Sequence, residues 1–377
     1  MIYRKMPGTD VKISALSMGC MRLPTLPEEN NPIDMPEAIK MVRHAIDNGV
    51  NYIDTAYPYH SGMSEVLVGE ALQDGYREKV ILATKSPVWR VEKYEDFETL
   101  LDEQLAKLKT DHVDVYLLHA LSKDRFPKLV ELNFGKFLDD MVQKGKIRYP
   151  GFSFHDDKET FLEILGAYDW KVCQVQMNVL DEFNQATMDG VREAAKRGIG
   201  VIAMEPVRGG SLTKSVPASI LEIYRASGKD AGPAEWAFKW LIDKPEFMTI
   251  LSGMSTIGQI DDNLRIFSEN DVGCLTDAER TMLTDVRKAY EARIKVGCTG
   301  CEYCLPCPQE INIPRILRGY DQAHVFDNLA GFYERYQKQM PEMTCIACGA
   351  CVSACPQHFA TPIPAWIEII HAEAYGK

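Results

Sequence analysis

Four side chains that carry charge or exchange protons lie at or just after the ends of three short apolar stretches. Asp54 ends the first stretch, with Tyr59 on the loop that follows it, while Lys85 ends VILATK and His119 ends HVDVYLLH. An aspartate that closes a buried strand is unfavourable unless a cation meets it, and Lys85 is the candidate. In a barrel of parallel strands these ends face one mouth, where barrel enzymes place their chemistry. The sequence therefore predicts a catalytic site at such a mouth.

Cysteines form the second set of reactive residues: the chain has 11, and eight of them lie after residue 297. They form two runs, each followed by proline: Cys298, Cys301, Cys304 and Cys307, then Cys345, Cys348, Cys351 and Cys355. The second run has the spacing of a bacterial ferredoxin, and the first is one residue short before its last cysteine. Three thiolates at this spacing wrap one cubane, and the fourth reaches the partner cluster. We therefore predict two [4Fe-4S] clusters, one on Cys298, Cys301, Cys304 and Cys355, the other on Cys345, Cys348, Cys351 and Cys307.

Two alternatives stand beside this prediction for the cysteine runs. Four-cysteine sites also bind zinc, although the repeated spacing with a trailing Cys-Pro favours iron–sulfur chemistry. The shortened first run could also hold no cluster, or a labile one. The scattered Cys20, Cys173 and Cys274 are predicted to be small buried apolar residues.

The elements that must position these residues alternate regularly along the chain. After a hairpin over residues 2–14, eight apolar strands are predicted, over 15–21, 51–56, 79–86, 113–119, 147–154, 172–178, 200–205 and 248–253. Helices are predicted over 36–47, 64–72, 94–109, 134–144, 157–168, 186–197, 233–242, 258–267 and 276–295. This α/β pattern predicts a (β/α)8 TIM barrel. A doubly wound open sheet is the alternative, and the absence of G-x-G-x-x-G after the first strand argues against it.

Composition and charge set the wider expectations. We predict a barrel domain over 1–296 and a small, mostly helical, ferredoxin-like iron–sulfur domain over 297–377, with helical spacing over 313–339. The net charge of −12, without a basic block, argues against nucleic acid or an anionic membrane as partner. No apolar run is long enough for a transmembrane helix, and the N-terminus lacks the apolar core of a signal peptide. We therefore expect a cytoplasmic protein.

The motifs DTAxxY, ATK and LLH, in this order, resemble the aldo-keto reductase family over roughly residues 1–295. The resemblance implies a tetrad of Asp54, Tyr59, Lys85 and His119, with Tyr59 preferred to Tyr57 because the family places its tyrosine five residues after the aspartate. It also implies hydride transfer between a nicotinamide cofactor and a carbonyl or alcohol. Tyr59 would be the acid, Lys85 would bring its pKa toward neutrality, Asp54 would hold Lys85, and His119 would orient the carbonyl.

The same resemblance implies the contacts of the nicotinamide end. Ser153 and Gln174 would hold the carboxamide, and Met204 stands where the family has a stacking aromatic residue. Arg208 and the two glycines that follow it would approach the diphosphate. The family usually has asparagine after the serine, and here Phe154 takes that place.

The adenosine end is expected to meet the segment 253–263, through Gly253, Ser255, Gln259 and Asn263. The lysine and arginine with which the family grips a 2′-phosphate correspond to Gly253 and Gln259, and neither can neutralise a phosphate. Asp261 and Asp262 would repel one. This favours NADH over NADPH; the alternative is that Arg265 supplies the missing charge.

The cysteine-rich end resembles helical two-cluster ferredoxin modules, so the whole chain resembles aldo-keto reductases that carry a C-terminal ferredoxin-type domain. We predict an NAD(P)-dependent oxidoreductase acting on a small carbonyl or alcohol. The clusters would act as a structural element, a redox sensor or a path to a ferredoxin-like electron carrier. The alternative is an iron–sulfur electron-transfer or redox-sensing protein that uses the barrel as a cofactor-binding platform.

Overall fold

A computed structural model of the protein describes residues 1–376. The chain divides into two compact units. The first comprises Met1–Gly209 and Ala234–Arg280, and the second comprises Gly210–Pro233 and the described chain from Thr281 onward. Residues 281–296 thus belong to the second compact unit, whereas the predicted domain boundary assigns them to the barrel. The boundary after residue 296 stays a prediction.

The described residues form ten β-strands. They are β1 Tyr3–Lys5, β2 Lys12–Ser14, β3 Leu16–Gly19, β4 Tyr52–Asp54, β5 Ile81–Ser86, β6 Val113–Leu121, β7 Ile147–Phe154, β8 Val172–Gln176, β9 Gly200–Met204 and β10 Phe247–Gly253. Strands β1 and β2 form the predicted antiparallel hairpin, with Tyr3 opposite Ser14.

Strands β3 to β10 form a closed barrel in which each strand pairs in parallel with its neighbours in sequence. Strand β10 closes on β3, with Ile250 opposite Leu16 and Gly253 opposite Gly19. The predicted (β/α)8 barrel is therefore confirmed, and the alternative of an open doubly wound sheet is wrong because the sheet has no free edge. Closure brings the carboxyl ends of all eight strands to one mouth.

Helices follow the strands, and loops connect the two kinds of element. They are α1 Met35–Asp47, α2 Met63–Ala71, α3 Tyr94–Leu108, α4 Phe126–Glu131, α5 Phe134–Gln143, α6 Lys158–Gly166, α7 Thr187–Lys196, α8 Ser211–Lys214, α9 Ala218–Ala226, α10 Pro233–Ile242, α11 Ile257–Glu269, α12 Asp277–Glu291, α13 Ile313–Val325, α14 Leu329–Gln339, α15 Ala350–Ala354 and α16 Ile363–Tyr375. No helix of the described chain has the length and apolar character needed to cross a membrane.

Side-chain caps fix where several of these helices begin. The Asp157 carboxylate accepts a hydrogen bond from Thr160 N at the start of α6, and the Thr256 hydroxyl accepts one from Gln259 N at the start of α11. These caps satisfy backbone donors that a helix leaves free in its first turn. The cap on Thr256 orients α11 directly after β10, the strand that closes the barrel.

The second compact unit has its own apolar core, formed mainly by α13, α14 and α16. Leu317, Tyr320, Phe332, Ile367 and Ile370 are all buried there. The helical segment predicted over 313–339 is two helices, because Asp327, at a φ of +49°, breaks the run between α13 and α14. The prediction of a small, mostly helical domain at this end is confirmed.

Candidate active site

The barrel brings Lys85 into contact with both Asp54 and Tyr59. Asp54 ends β4 and pairs with Ala83, so the side chain of Lys85 lies beside the carboxylate. Lys85 Nζ donates hydrogen bonds to Asp54 Oδ1 at 2.5 Å and to the carbonyl of Thr55 at 2.8 Å. It also donates to Tyr59 Oη at 3.3 Å, and it lies 4.7 Å from the centre of the Tyr59 ring. Three of the predicted residues therefore form one hydrogen-bonded group.

Burial dominates the electrostatics of this group. The side chains of Lys85 and Asp54 are each only 1% exposed. Burial raises the pKa of Asp54 above its ordinary value, although Lys85 acts in the opposite direction. For Lys85, burial lowers the pKa, but the attraction of Asp54 and Tyr59 outweighs it and the net shift is upward. Lys85 is therefore a charged ammonium, and the carboxylate of Asp54 stabilises that charge although the side chain is buried.

The pKa of Tyr59 departs from the prediction. Burial raises it above its ordinary value, and the opposing effect of Lys85 is the smaller of the two. The expectation that Lys85 brings this pKa toward neutrality is thus not met, because the sequence does not show how deeply the phenol is buried. Tyr59 keeps its proton at physiological pH, which is the state in which a general acid acts.

His119 faces the same group across the mouth. Its ring lies 6.0 Å from the Tyr59 ring in an edge-to-face arrangement, and 5.3 Å from the Trp89 ring. The pairing of β6 with β7 shifts register here, and Ala120 adopts a φ of +53°. Burial, with a smaller contribution from Lys85, lowers the pKa of His119 to about 3. The imidazole is therefore neutral at physiological pH.

Tyr57, the rival tyrosine, points elsewhere. Its hydroxyl donates to Glu103 Oε2 at 3.2 Å and accepts from Arg90, and Lys107 lies 3.9 Å from the ring centre. The Tyr57 side chain is half-buried and lies beside these charged residues. Tyr59 is the tyrosine that contacts Lys85.

A buried polar network that the sequence did not suggest lies behind Lys85. Gln104 Nε2 donates to the Lys85 carbonyl at 3.0 Å and to Glu65 Oε1 at 2.5 Å, and Thr84 also donates to Glu65 Oε1 at 2.7 Å. Glu65 and Gln104 are fully buried. In the sequence, the signal for this network was the presence of Glu65 and Gln104 on the otherwise apolar faces of α2 and α3. This network holds β5 in place at the point where Lys85 leaves it.

Ser153, Gln174 and Met204 lie on three adjacent strands, β7, β8 and β9. Ser153 pairs with Gln174 in register, and its hydroxyl oxygen accepts from Ala120 N at 2.8 Å. Gln174 Nε2 lies 3.5 Å from Met204 Sδ. Gln174 Oε1 is buried and has no hydrogen-bond partner among the described residues. A buried amide oxygen without a donor is costly, so this geometry fits a ligand that supplies an N–H.

The loop after β9 has unusual backbone geometry. Arg208 and Gly209 both have positive φ, +51° and +62°. Arg208 Nη2 lies 3.9 Å from Asp181 Oδ1, a residue that is almost completely buried. The structure thus places Arg208 next to a carboxylate, at the rim near the end of β9.

The segment after β10 is tied to the loop after β3. Ser255 Oγ donates to the carbonyl of Arg22 at 2.6 Å, and Ser255 N donates to Gln259 Oε1 at 2.8 Å. Asn263 Nδ2 donates to Ser252 Oγ at 3.1 Å, which attaches α11 to β10. The predicted contacts Ser255, Gln259 and Asn263 therefore lie at the end of β10 and the start of α11.

The charged residues of helix α11 are already paired with other side chains. Asp261 Oδ1 lies 2.6 Å from His44 Nε2, whereas Asp262 pairs with Arg265 at 3.0 Å. Arg265 also pairs with Glu235 at 2.8 Å and with Glu269 at 3.2 Å. Three carboxylates around one guanidinium make Arg265 a poor source of charge for a 2′-phosphate.

The cysteines line two cavities in the crosswise arrangement that their spacing predicts. One cavity is bordered by Cys298, Cys301, Cys304 and Cys355. The other is bordered by Cys307, Cys345, Cys348 and Cys351, with Cys304 between the two. No three metal-binding side chains of the described chain are close enough together to hold a single ion. Thiolates on one zinc lie about 4 Å apart, since each Zn–S bond is about 2.3 Å; thiols spread around a cavity fit a larger cluster.

A buried aspartate holds the chain just before the first cysteine run. Asp321, which is 6% exposed, accepts hydrogen bonds from four successive backbone amides, at 2.9, 2.7, 2.9 and 3.3 Å. These amides belong to residues 295–298, the last of them Cys298. Asp321 therefore sets the course of the backbone into the first cavity. A lone aspartate within the helical segment was the only sequence signal.

Comparison with known proteins agrees with this arrangement. The Aldo/keto reductase family matches residues 15–279, and a 4Fe-4S dicluster domain matches residues 297–360. The NADH-specific methylglyoxal reductase of Escherichia coli is 25% identical over 75% of this chain and 97% of its own. The holo form of an aldo-keto reductase from Bacillus halodurans superimposes with a TM-score of 0.64 at 25% identity, over 76% of this chain and 96% of that one.

A Klebsiella pneumoniae aldo-keto reductase solved in complex with NADPH shares the fold, with a TM-score of 0.61 at 22% identity over 76% of this chain and 96% of that one. The match to the family covers more than half of the chain and includes every strand of the barrel. The chain belongs to the aldo/keto reductase family and carries a C-terminal 4Fe-4S domain.

Proposed function

We propose that the protein is a nicotinamide-dependent oxidoreductase that interconverts a small carbonyl compound and its alcohol, with Tyr59 as proton donor. The observation that carries the proposal is Lys85 Nζ between Asp54 Oδ1 and Tyr59 Oη, at 2.5 and 3.3 Å. An ammonium buried this deeply needs a reason beyond stability, because buried ion pairs contribute little net free energy. Placed against a phenol at a barrel mouth, it suits acid–base catalysis.

In reduction, Tyr59 Oη donates its proton to the carbonyl oxygen as the carbon accepts a hydride, and the product is the alcohol. The phenolate left on Tyr59 lies against the ammonium of Lys85, which stabilises it as the charge develops. Asp54 keeps Lys85 charged and fixes its position. Oxidation of an alcohol follows the same path in reverse, with Tyr59 accepting the proton.

His119 orients the carbonyl in this proposal. A neutral imidazole with an N–H toward the substrate donates one hydrogen bond and adds no charge that would compete with Lys85. The ring centre of Trp89 lies 5.3 Å from that of the imidazole, so Trp89 forms one side of its surroundings.

In this proposal the nicotinamide lies against strands β7, β8 and β9, next to this group. The unpartnered Gln174 Oε1 would accept from the carboxamide N–H, and the Ser153 hydroxyl would donate to the carboxamide oxygen. Met204 would cover one face of the ring. Bound there in its reduced form, the cofactor would supply the hydride.

We also propose that the second unit holds two [4Fe-4S] clusters with the crosswise ligands predicted above. The support is the pair of cavities, each bordered by three cysteines of one run and the last cysteine of the other, with Cys304 bordering both. Such clusters transfer single electrons, with potentials set by their protein surroundings.

The pKa of His119 leads to a prediction about pH. Since burial lowers the pKa of His119 to about 3, the imidazole is neutral throughout the range from pH 5 to 8. We therefore expect His119 to contribute no ionisation near pH 6.5 to the pH profile of kcat/KM for carbonyl reduction. His119→Gln should accordingly remove no such ionisation from the profile. A pH profile of both proteins from pH 5 to 8 checks this. An acid limb near 6.5 that only the variant lacks would contradict it.

The residues at the adenosine end predict a preference for NADH. Gly253 and Gln259 offer no charge, and Arg265 is held by three carboxylates, so we expect kcat/KM with NADH to exceed that with NADPH about tenfold or more. Gln259→Arg should reduce the difference between the two kcat/KM values by raising kcat/KM with NADPH. Steady-state kinetics with both cofactors test this, and a marked NADPH preference in the unaltered protein would refute it. The NADH specificity of the similar E. coli enzyme supports the same direction.

Carbonyl-dependent oxidation of NADH by the purified, anaerobically prepared full chain tests the proposed function. We expect turnover with short-chain aldehydes and no requirement for a one-electron acceptor. Oxidation that proceeds only with such an acceptor would instead favour the electron-transfer function.

A further inference from the structure

We propose that the carbonyl substrate carries a carboxylate and that Arg125, on the loop after β6, binds this carboxylate, an assignment that rests on the proposed function. None of the sequence motifs points to this arginine. Its guanidinium lies near the histidine that would orient the carbonyl, and contacts with Ala120 and Trp89 fix its position.

The guanidinium of Arg125 is anchored to the end of the strand that carries His119. Arg125 Nη1 donates to the carbonyl of Ala120 at 2.9 Å. Ala120 directly follows His119, at a φ of +53°, and its own amide donates to Ser153 Oγ at 2.8 Å. No other hydrogen bond joins this guanidinium to the described chain, so its remaining N–H groups are free to meet a ligand.

The indole of Trp89 lies between Arg125 and His119. The centre of the Trp89 ring lies 5.3 Å from that of His119, and Arg125 Cζ lies 5.7 Å from the same indole centre. These two distances place the guanidinium carbon within about 11 Å of the imidazole centre. Trp89 is 42% exposed, which leaves a large apolar surface open between the two groups. A short substrate with its carbonyl at His119 can therefore lie along this indole and reach Arg125 with its far end.

The charge of Arg125 is not neutralised by the residues around it. The side chain is exposed and forms no ion pair with any carboxylate of the described chain. Asp156, on the neighbouring loop after β7, accepts instead from the backbone amides of Lys123 and Asp157, at 2.8 Å each. In a chain of net charge −12, a cation left without a carboxylate beside a catalytic mouth favours an anionic ligand.

Arg125 also acts on two histidines of the mouth. Burial is the main cause that lowers the pKa of His119, and the charge of Arg125 adds a smaller contribution in the same direction. Burial is likewise the main cause that lowers the pKa of His155, where Arg125 again contributes. Both imidazoles are therefore neutral at physiological pH, and Arg125 supplies a permanent positive charge beside them.

The chemistry of a guanidinium identifies the class of ligand. Its planar fork of N–H donors matches the two oxygens of a carboxylate, with one positive charge against one negative charge. A phosphate monoester carries up to about two negative charges at neutral pH, so one guanidinium would leave it partly uncompensated. Trp89 would cover the apolar carbons between the carboxylate and the carbonyl. The predicted substrates are short oxo acids in which a few carbons separate the two groups.

Steady-state reduction of two matched aldehydes by the full chain, kept anaerobic, tests the proposal. The aldehydes are 4-oxobutanoate and its methyl ester, which has no charge. Arg125→Gln should lower kcat/KM for 4-oxobutanoate by about 10- to 100-fold, mainly through a higher KM, as for a lost charge-assisted hydrogen bond. For the methyl ester, kcat/KM should change by less than about twofold.

Lys123→Gln is the matched control. It removes the same charge from an exposed side chain of the same loop. We expect this variant to reduce both aldehydes as the unaltered protein does. The unaltered protein should itself prefer 4-oxobutanoate to the methyl ester by about 10-fold or more.

Other outcomes overturn the proposal in distinguishable ways. An equal loss with the acid and the ester in Arg125→Gln shows that Arg125 only supports the structure of the mouth. Unchanged kinetics with both remove Arg125 from the substrate site, and a preference of the unaltered protein for glycolaldehyde phosphate over 4-oxobutanoate assigns it to a phosphate. The proposed function stands in these three cases. An unaltered protein that reduces no aldehyde at all refutes the proposed function, and the assignment of Arg125 falls with it.

Charge reversal supplies a gain of activity that a misfolded variant cannot produce. Arg125→Glu should lower kcat/KM for 4-oxobutanoate and raise it for (trimethylammonio)acetaldehyde, a cationic aldehyde that the indole of Trp89 also suits. If the variant reduces this cationic aldehyde no faster than the unaltered protein does, the side chain at position 125 does not face the charged end of the substrate.

Discussion

Tyr59→Phe lowers kcat for carbonyl reduction by about 100- to 10,000-fold, the range that general acids contribute, while NADH still binds. The change removes one oxygen and leaves the Lys85–Asp54 pair intact, so the fold is not at risk. Replacing Lys85 or Asp54 instead would leave an unpaired buried charge, at a cost of about 3–5 kcal/mol. Stopped-flow reduction of an aldehyde by the variant, with a calorimetric NADH titration beside it, measures both quantities.

Tyr57→Phe is the matched control for this experiment. It makes the same chemical change two residues away, on a phenol that contacts Glu103 and Arg90 rather than Lys85. We expect it to retain most of the activity. Full activity in Tyr59→Phe, or an equal loss in Tyr57→Phe, would show that the proton comes from another group.

Double cysteine variants should separate crosswise from sequential ligation of the two clusters. With crosswise ligands, Cys301→Ala with Cys355→Ala removes two thiolates from one cluster and spares the other. The iron content should then fall from about eight to about four atoms per chain. Cys348→Ala with Cys355→Ala removes one thiolate from each cluster, so both should be damaged and the iron content should fall further.

Anaerobic iron and sulfide analysis, with the visible absorbance of the clusters, measures this difference. The two cavities are the basis for predicting crosswise ligation, because Cys355 of the second run borders the cavity that is lined by cysteines of the first run. If Cys348→Ala with Cys355→Ala leaves one cluster intact while Cys301→Ala with Cys355→Ala destroys both, each run binds its own cluster. A content of about four iron atoms in the unaltered protein would show that one cavity takes no cluster.

The strands and most helices were predictable because hydrophobic periodicity and short loops specify them locally. Strand β7, over Ile147–Phe154, and helix α10, over Pro233–Ile242, match their predicted ranges. The grouping of Asp54, Tyr59 and Lys85 was predictable for a related reason, since these titratable residues stand at or just after strand ends. The helices α4, α8, α9, α15 and α16 were not predicted, because their apolar residues are too few or too evenly spread to show a clear period.

Properties that depend on barrel closure could not be read from the sequence. Arg22 meets Ser255 across 233 positions of the chain, and only the pairing of β10 with β3 brings them together. The pKa of Tyr59 depends on how deeply the loop buries its phenol, which the spacing from Asp54 does not reveal. The four amides on Asp321 likewise come from a segment more than 20 positions away.

Transfer of deuterium from NADH carrying the label on its reactive face tests the central claim most directly. The unaltered full chain would be mixed anaerobically with this cofactor and a panel of short-chain aldehydes that includes methylglyoxal. We predict that the deuterium arrives on the carbinol carbon of the alcohol in a single turnover, and that Tyr59→Phe nearly abolishes this transfer. Oxidation of the cofactor without deuterium in any alcohol, supported only by a one-electron acceptor, would contradict hydride chemistry at this site.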